Sequence, residues 1–313
     1  GVFFVFAFVG IVIRAFHLQM MPHKKVESLA VNQQKSKLEV VGRRGNVLDR
    51  NGRELAVSVN SLSVYANPHL IKDLNKASKA LSAALDIPEP ALRKKLKFDG
   101  KRKYVWIQRQ LDNKQMQMVS QLQIEKLPGI GLLPEYRRTY PQGSLASHVL
   151  GFVSIDGQGL EGIEKRFDHV LTRDKAISYV SKDALGRPVL ERREQIQMEL
   201  SQGDSLELSI DATIQNAAEV ALKEAVEKHQ ALSGTAIVMD PRNGEILALA
   251  NEPRFDPNNV SATPGLYRKN RALTDPIEPA SVLKSFVVAK AIEEQVIHEN
   301  TRFNTSGGKI KVG

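Results

Sequence analysis

Apolar residues fill the beginning of the chain. Residues 1–13 (GVFFVFAFVGIVI) form an unbroken run of apolar residues and glycine, which ends at Arg14. A helix that crosses a bilayer needs about 20 such residues, so we expect residues 1–19 to be part of a membrane anchor that begins before residue 1. The alternative is the hydrophobic region of a signal peptide, which no evident small-x-small cleavage site supports. Orientation in the membrane is left open.

Short extended runs and amphipathic stretches alternate from residue 20 to about residue 200. The sequence DRNG at 49–52 lies between two apolar runs and ends in Asn-Gly, which predicts a β-hairpin. Residues 137–168 are rich in glycine and polar side chains, which predicts a loop that ends in a short helix at 162–167. Helices are predicted over residues 70–84, 89–96 and 112–126, the last capped by Asp112.

From residue 201 the pattern changes to strand, long helix, hairpin and apolar helix. Asp211 is placed to cap a helix over 212–229. The run 251–280 contains five prolines and predicts a loop. The helix that follows, 281–295, is apolar around most of its circumference, which predicts that it is buried. Strands are predicted within 186–210 and over 233–240 and 245–250.

This order of elements predicts an α+β fold. We divide the chain into a partial transmembrane anchor (1–19), an extended pedestal domain (20–200) and the first part of a catalytic domain (201–313). Two strands offer too little surface to cover a helix that is apolar all round, so we expect the last domain to be truncated at Gly313. A small complete domain is the alternative.

Composition narrows the possible chemistry. The chain of 313 residues has no Cys, which excludes a disulfide scaffold, a thiolate nucleophile and Cys-ligated zinc. No metal or cofactor site is evident. Residues 1–140 hold 24 of the 44 Lys and Arg but 11 of the 35 Asp and Glu. This basic half carries no nucleic-acid-binding signature. Its positive charge can belong to a solvated face, or it can bind an anionic membrane surface or an anionic polymer.

Ser281 and Lys284 form the main candidate catalytic pair. Residues i and i+3 lie on one face of a helix, so the lysine amine can reach the serine hydroxyl. A serine needs a neighbouring base to become a nucleophile. Lysine can be that base where burial and positive potential disfavour its ammonium form, and free N–H groups of a first helical turn can stabilise an oxyanion.

The Ser-x-x-K spacing alone is not specific. Ser306 and Lys309 show the same spacing, but the Gly-Gly between them disfavours a helix. The alternative for the first pair is that Ser281 only caps the helix and Lys284 is a surface charge. Neighbouring motifs decide between these readings.

Five motifs lie along the chain, at residues 43–56 (RRGNVLDRNGRELA), 138–151 (RTYPQGSLASHVLG), 157–164 (GQGLEGIE), 234–253 and 270–281. Together they resemble the motifs of the class B penicillin-binding proteins, and within them the septal, division-associated peptidoglycan DD-transpeptidases. The first three precede the predicted catalytic domain, the fourth resembles the opening of the transpeptidase domain, and the fifth resembles the approach to its nucleophile. The resemblance extends over essentially the whole chain.

This resemblance implies that Ser281 is the acylated serine and Lys284 the general base. The family usually has Gly before the serine and Pro after the lysine, where this chain has Ala280 and Ser285. The family also needs a Ser-x-Asn motif and a Lys-Thr/Ser-Gly strand, which the resemblance places beyond Gly313. The chain as given is therefore expected neither to turn over substrate nor to form a stable β-lactam adduct.

The reaction implied by the resemblance is the crosslinking of peptidoglycan stem peptides through an acyl-enzyme, without a cofactor. β-Lactams would trap that intermediate. The implied partners are a septal membrane glycosyltransferase and small bitopic division proteins. The implied location is the bacterial inner membrane, with a single span and most of the chain in the periplasm.

Three alternatives remain open. Within the family, an elongation-specific relative is the closest. Outside it are a non-catalytic division scaffold, with a vestigial Ser–Lys pair, and a β-lactam sensor or β-lactamase relative. The long pedestal argues against the last of these.

Other polar and aromatic residues receive structural interpretations. Charged residues of the first motif are expected to brace the pedestal against the catalytic domain, His148 to be a hydrogen-bonded core or interface residue, and Glu161 and Glu164 to be solvated carboxylates on one helical face. The first-motif residues are Arg43, Arg44, Asp49 and Arg50. Tyr104 and Trp106 are assigned to the pedestal core or surface.

Overall fold

The regular elements of the computed structural model follow the order expected of an α+β protein. It describes residues 2–20, 35–40, 42–97, 100, 104–172, 176–182, 188–189, 202–304 and 307. The chain divides into two compact units, Gly1–Ala272 and Leu273–Gly313.

The apolar N-terminal run forms helix α1, Val2–Met20. Its apolar side chains from Val2 to Phe16 are solvent-exposed. No helix in the described part of the chain meets the length and apolarity that a membrane crossing requires. The residues between Met20 and Lys35 lie outside the described part.

One long strand organises the main sheet of the first unit. Strands β2 (Val47–Leu48) and β3 (Glu54–Ala66) form the antiparallel hairpin that the Asn-Gly signal predicts. The far end of β3 pairs with β4 (Val105–Gln108), and β3 also pairs along most of its length with β5 (Ile130–Thr139). A short strand β8 (Leu206–Glu207) runs parallel to β2.

Strand β5 corrects one expectation. Residues 137–139 were expected in a loop because they are polar, but they pair with β3 up to Val57↔Thr139. Backbone pairing with a long neighbouring strand overrides the weak local preference of polar residues.

Three helices cover one end of this sheet; two lie close to the positions predicted, and the third, predicted over 112–126, already ends at Gln121. They are α2 (Leu74–Leu85), α3 (Glu89–Leu96) and α4 (Asn113–Gln121). Helix α2 begins later than predicted because Asp73 caps it, its carboxylate accepting from the N–H of Lys76 at 2.9 Å. The buried side chains Leu81, Leu92, Leu96 and Val119 of these helices form one core cluster with side chains of β3, β4 and β5, among them Ile107 of β4 and Ile130 of β5.

A second core lies at the opposite end of β3. The short helices α5 (Ser147–Leu150), α6 (Gly162–Arg166) and α7 (Asp168–Leu171) contribute to it. Its buried members come from both sides of residue 200 and include Val47, Leu55, Leu150, Phe152, Ala212 and Phe255. The segment limits at residues 19 and 200 stay predictions.

A separate antiparallel sheet joins distant parts of the pedestal sequence. It consists of β1 (Lys35–Val40), β6 (Ala176–Lys182) and β7 (Pro188–Val189), in the order β1-β6-β7. Of the strands predicted within 186–210, β7 and β8 are described, and residues 190–201 lie outside the described part.

The capped helix and hairpin predicted after residue 210 are confirmed. Helix α8 (Ala212–Lys228) is capped by Asp211, whose carboxylate accepts from the N–H groups of Thr213 and Ile214. Strands β9 (Gly234–Met239) and β10 (Ile246–Glu252) form an antiparallel pair. The proline-rich stretch contains 3-10 turns at Val260–Ala262 and Gly265–Arg268 and a short helix α9, Arg271–Thr274.

The second unit contains helix α10, Val282–Glu293. The expectation that this helix is buried is wrong for the described residues: none of its residues is buried, and Val282 and Phe286 are 64% and 67% exposed. An apolar side chain is buried only where other elements cover it, and the described residues supply no such layer for α10.

Candidate active site

The beginning of α10 brings the predicted pair together. Lys284 Nζ lies 3.5 Å from Ser281 Oγ, in a geometry in which the ammonium donates to the hydroxyl. Ser281 occupies the N-cap position but has helical φ and ψ of −68° and −17°, and its side chain makes no capping hydrogen bond. Capping therefore does not explain this serine, and its hydroxyl faces the lysine.

The backbone at this point forms tight turns. The N–H groups of Val282, Leu283 and Lys284 donate to the carbonyls three residues earlier, at 3.1, 3.3 and 3.2 Å. The expectation that the first-turn N–H groups are free to receive an oxyanion is therefore wrong for these three groups.

Ala280, directly before the serine, adopts a left-handed conformation with φ of +47°. A Cβ atom costs roughly 1 kcal/mol or more in this region, which glycine avoids. The family's usual glycine at this position therefore fits the backbone observed here better than alanine does.

Both members of the pair are exposed. The described residues thus provide the contact between hydroxyl and amine but not the dry surroundings in which a lysine amine becomes a base.

The predicted hairpin turn docks on the start of α8. Asp49 is fully buried, and its Oδ1 accepts from the N–H groups of Asn51 and Arg53, both at 2.8 Å. Its Oδ2 accepts from the N–H of Ala212 at 3.1 Å. One carboxylate therefore closes its own turn and satisfies a donor of the first turn of α8.

Other residues of the first motif extend this brace. Gly45 allows the backbone of the motif to lie close to the backbone at Asp204, since a Cβ at this position would lie 1.9 Å from the Asp204 carbonyl oxygen. Further contacts link the motif to α8, to the β9–β10 turn and to β3: Asn51 to Asp211, Arg53 to Thr213, Arg50 to Glu245 and Arg43 to the Ser58 carbonyl. The brace expected of this motif's charges is confirmed for Asp49 and Arg50, whereas Arg43 contacts β3 within the pedestal segment.

A buried ionic cluster joins the three pedestal motifs. Glu164 is 0% exposed and receives Arg44 Nε at 2.6 Å and Arg138 Nε at 2.7 Å, one on each carboxylate oxygen. Arg44 also donates to Asp168 and Thr172. The expectation that Glu164 is solvated is wrong, because two guanidinium groups from distant parts of the chain compensate the cost of burying its charge. Glu161 is half-buried, and its side chain makes no hydrogen bond or ion pair within the described residues.

His148 is buried and hydrogen-bonded, as predicted. Its Nε2 lies 2.8 Å from the Tyr267 carbonyl oxygen, and its ring packs edge-on against Phe255 with centroids 5.2 Å apart. A carbonyl only accepts, so Nε2 carries a proton. Burial lowers the pKa of His148, more than the hydrogen bond to Tyr267 and the charge of Glu219 raise it.

Comparison with known proteins accounts for these motifs. Two family models match the chain: "Penicillin-binding Protein dimerisation domain" over residues 39–208, more than half of the chain, and "Penicillin binding protein transpeptidase domain" over residues 234–313. The chain belongs to the class B penicillin-binding proteins. The three pedestal motifs lie within the first match, and Ser281 and Lys284 lie within the second.

Curated relatives agree with this assignment. The probable peptidoglycan D,D-transpeptidase PenA of Neisseria meningitidis is 38% identical over 97% of this chain and 52% of its own length. The peptidoglycan D,D-transpeptidase FtsI of Escherichia coli is 39% identical over 84% and 44%. This penicillin-binding protein chain thus spans about half the length of the relatives that it matches.

Solved structures show the same fold. Penicillin binding protein 2X from Streptococcus thermophilus superposes with a TM-score of 0.61 at 21% identity, covering 89% of this chain and 44% of that chain. A peptidoglycan synthetase from Bifidobacterium adolescentis gives 0.57 at 22% identity, covering 90% and 55%.

Two polar residues of α8 in this penicillin-binding protein were missed from the sequence. Glu219 is buried and accepts from the Ala146 N–H and from Arg254, both at 2.8 Å. Gln215 bonds both backbone groups of Leu249 in β10. The available signal was the Gln–Glu pair itself, at positions i and i+4 of a predicted helix.

The aromatic residues assigned to the pedestal form a cluster. Tyr104 stacks on Tyr65 with centroids 4.9 Å apart, and Arg109 lies 5.1 Å from the centre of the Trp106 ring. Within the described residues, no group of acidic and histidine side chains is arranged to hold a metal ion.

The buried Asp49 leads to a pH-dependent prediction for this penicillin-binding protein. Burial raises the pKa of Asp49, but the N–H groups of Arg53, Ala212 and Asn51 outweigh it and hold the pKa below its ordinary 3.8. Because the folded pKa is depressed, the ionised carboxylate stabilises the fold above about pH 4, and this contribution is lost as the pH falls through the folded pKa. Asp49→Asn should lower the free energy of unfolding by about 2 kcal/mol at pH 7.

Urea unfolding followed by the fluorescence of Trp106 measures this effect. The difference between wild type and Asp49→Asn should shrink as the pH falls below about 4, because wild type loses its advantage when Asp49 is protonated. Asp73→Asn is the matched control, since Asn caps a helix as well as Asp does. A pH-independent difference would contradict the role assigned to the Asp49 charge.

Proposed function

We propose that the full-length protein is a septal peptidoglycan D,D-transpeptidase and that Ser281 is its acyl-ester nucleophile. The observation that carries the proposal is the 3.5 Å approach of Lys284 Nζ to Ser281 Oγ at the start of α10. The match of the surrounding residues to the transpeptidase family supports it. This activity needs no cofactor.

The first half-reaction forms an ester. Ser281 Oγ attacks the carbonyl carbon of the penultimate D-Ala of a stem peptide while its proton passes to the unprotonated amine of Lys284. The tetrahedral intermediate collapses, the peptide C–N bond breaks, and the departing amine of the terminal D-Ala takes a proton. The products are free D-Ala and an acyl ester on Ser281.

The second half-reaction transfers the acyl group. An amine of a neighbouring stem peptide attacks the ester carbonyl, loses a proton, and displaces Ser281 Oγ, which is reprotonated. A peptide crosslink forms and the serine is restored. A β-lactam enters the first half-reaction only, because its leaving nitrogen stays tethered to the acyl group.

The surface of α10 is apolar, which supports the proposal that this helix is buried in the full-length protein. Removal of water from around Lys284 would disfavour its ammonium form and leave the amine able to accept the serine proton. The exposed pair in the present chain lacks this condition.

The proposal includes a cellular setting. Helix α1 would belong to a single inner-membrane span, with the bulk of the protein in the periplasm. Stem peptides and β-lactams would be the ligands, and a septal glycosyltransferase and small bitopic division proteins would be the partners. The apolar composition of α1 supports the anchor.

Labelling with a fluorescent penicillin tests the proposal. The full-length protein should form a covalent adduct that peptide mass spectrometry places on Ser281, whereas the 313-residue chain alone should form no stable adduct. Absence of an adduct on the full-length protein would favour a non-catalytic scaffold. Depletion that gives swollen cells instead of filaments would favour an elongation-specific enzyme.

A further inference from the structure

An exposed tyrosine ring lies on the main sheet of the first unit, where β3, β4 and β5 meet. Tyr104 directly precedes β4 and is 47% exposed. The register of the sheet pairs Tyr65 of β3 with Trp106 of β4 and with Gly131 of β5. A Cβ at Gly131 would overlap the Tyr65 ring, so the glycine allows that ring to lie against β5. Tyr65 is thereby buried, at 6% exposed, and lies beneath Tyr104.

Two neighbouring rings fix the orientation of the Tyr104 ring. It stacks on Tyr65 with centroids 4.9 Å apart and planes 21° apart, and it meets Trp106 edge-on at 5.2 Å. The Tyr65 and Trp106 centroids are 6.4 Å apart, which is too close for two rings that lie on opposite faces of Tyr104. These neighbours therefore leave the second face of Tyr104 uncovered. An aromatic ring held in this way loses little conformational freedom when it binds a ligand.

A fixed group of charges lies next to the rings. Arg109 Nη2 donates to Glu135 Oε1 at 2.7 Å and Arg109 Nη1 donates to Asp156 Oδ1 at 2.6 Å. The Arg109 guanidinium also lies 5.1 Å from the centre of the Trp106 ring, and Ser63 Oγ donates to the second oxygen of Glu135. The side chains of Arg109 and Glu135 remain 20% and 16% exposed. Donors and acceptors beside the rings are thus held in place and still accessible.

The chemistry of these residues suits a sugar ring. The faces of aromatic rings are negative, and the C–H groups on the flat side of a pyranose carry partial positive charge, so the two surfaces are electrostatically complementary. Burial raises the pKa of Tyr104, with Tyr65 and Glu135 adding to the effect and Arg109 opposing it only in part. The phenol therefore stays neutral at physiological pH, and its O–H can donate to a sugar hydroxyl. Glu135 and Arg109 supply an acceptor and donors for further hydroxyls.

Other ligands fit these residues less well. A partner protein that used Tyr104 as an anchor would need apolar neighbours that exclude water, but the chain continues beyond Trp106 and Ile107 with the polar residues Gln108, Arg109 and Gln110. A cationic ligand would compete for the Trp106 ring with Arg109, which already lies over it. A neutral ligand rich in hydroxyl groups avoids both difficulties.

We propose that Tyr104, Trp106, Arg109 and Glu135 bind the sugar rings of peptidoglycan glycan strands. One sugar packs its flat side on the uncovered face of Tyr104, and its hydroxyls bond to Arg109 and Glu135. The inference rests on the proposed function only for the identity of the glycan, because a peptidoglycan transpeptidase meets the strands that carry its stem peptides. The binding itself does not require Ser281.

Fluorescence anisotropy with labelled glycan strands tests the proposal in the full-length protein. The strands are first freed of their peptides by amidase digestion, so that stem-peptide binding does not contribute. Wild type should bind them saturably, and Tyr104→Ala should weaken binding by about tenfold, because its loss removes the stacking surface. Tyr104→Phe keeps the ring and should bind within about threefold of wild type.

Tyr267→Ala is the matched control. Tyr267 is 40% exposed, which is similar to Tyr104, and it bonds to His148 through its backbone carbonyl, which the substitution keeps. This variant should bind glycan as wild type does. Hydroxyl-radical footprinting of wild type needs no variant: the glycan should reduce oxidation of Tyr104 but not of Tyr267. Footprinting therefore decides the matter if Tyr104→Ala does not fold.

Glycan binding and acylation are measured on the same preparation, which separates this inference from the proposed function. The sugar site alone is overturned if a protein that fluorescent penicillin labels at Ser281 does not bind glycan. Equal losses in Tyr104→Ala and Tyr267→Ala, or oxidation of Tyr104 that glycan does not reduce, also overturn it. If glycan protects Tyr104 in a protein that penicillin does not label, the sugar site is supported and the proposed function fails.

Discussion

Replacement of Ser281 by alanine is expected to abolish covalent labelling of the full-length protein by a fluorescent penicillin. The serine oxygen is the atom to which the acyl group bonds, so its loss removes the reaction and leaves only reversible binding. Lys284→Ala should lower the acylation rate by about 10² to 10⁴-fold, the usual contribution of a positioned base. Gel fluorescence and stopped-flow kinetics measure the two effects.

Each variant has a control within the same chain. Ser306→Ala alters the serine of the second Ser-x-x-K match and should leave labelling unchanged. Lys290→Ala removes another exposed lysine of α10, one that pairs with Glu293 and Glu294 at 3.0 and 2.6 Å. Unchanged labelling of Ser281→Ala, or equal loss in Lys290→Ala and Lys284→Ala, would contradict the assignment of the pair.

Glu164→Ala is expected to lower the free energy of unfolding by about 3–5 kcal/mol, the cost typical of breaking a buried ion pair. The side chains of Arg44 and Arg138 are 6% and 4% exposed, and both would keep a buried charge without the carboxylate that now receives them. In this variant Arg44 still donates to Asp168, which reduces the loss of stability that Arg44 causes. Urea unfolding followed by Trp106 fluorescence measures the change.

Glu161→Ala is the matched control for this prediction. Glu161 is the neighbouring carboxylate at i−3, and its side chain makes no hydrogen bond or ion pair within the described residues, so its loss should change stability by about 0.5 kcal/mol or less. Similar effects of the two substitutions would show that Glu164 is solvated, as the sequence pattern alone suggested.

Local sequence signals predicted the elements that depend on neighbouring residues. The Asn-Gly turn, the Asp112 and Asp211 caps and the β9–β10 hairpin are as expected. Each depends on contacts within a few residues, such as a carboxylate that accepts from N–H groups two or three positions later. The approach of Lys284 to Ser281 belongs to this class, because helical geometry sets it.

Contacts between distant residues could not be predicted in this way. Glu164 meets Arg44 across a sequence separation of 120 residues, and Asn251 meets the Ala272 N–H from another element. A carboxylate such as that of Glu164 is stable in water, and it is also stable in the protein interior when two guanidinium groups pair with it. Sequence spacing does not distinguish these two environments.

The sequence by itself therefore determined the α+β order of elements, the helical spacing of Ser281 and Lys284, and the family to which the motifs belong. Tertiary structure alone decided which charges are buried, which turn braces α8, and which polar side chains pair across distant elements. The physical reason is range: turns, caps and helical spacing are set by bonds between near neighbours. Burial and its compensation depend on which distant parts of the chain the fold brings together.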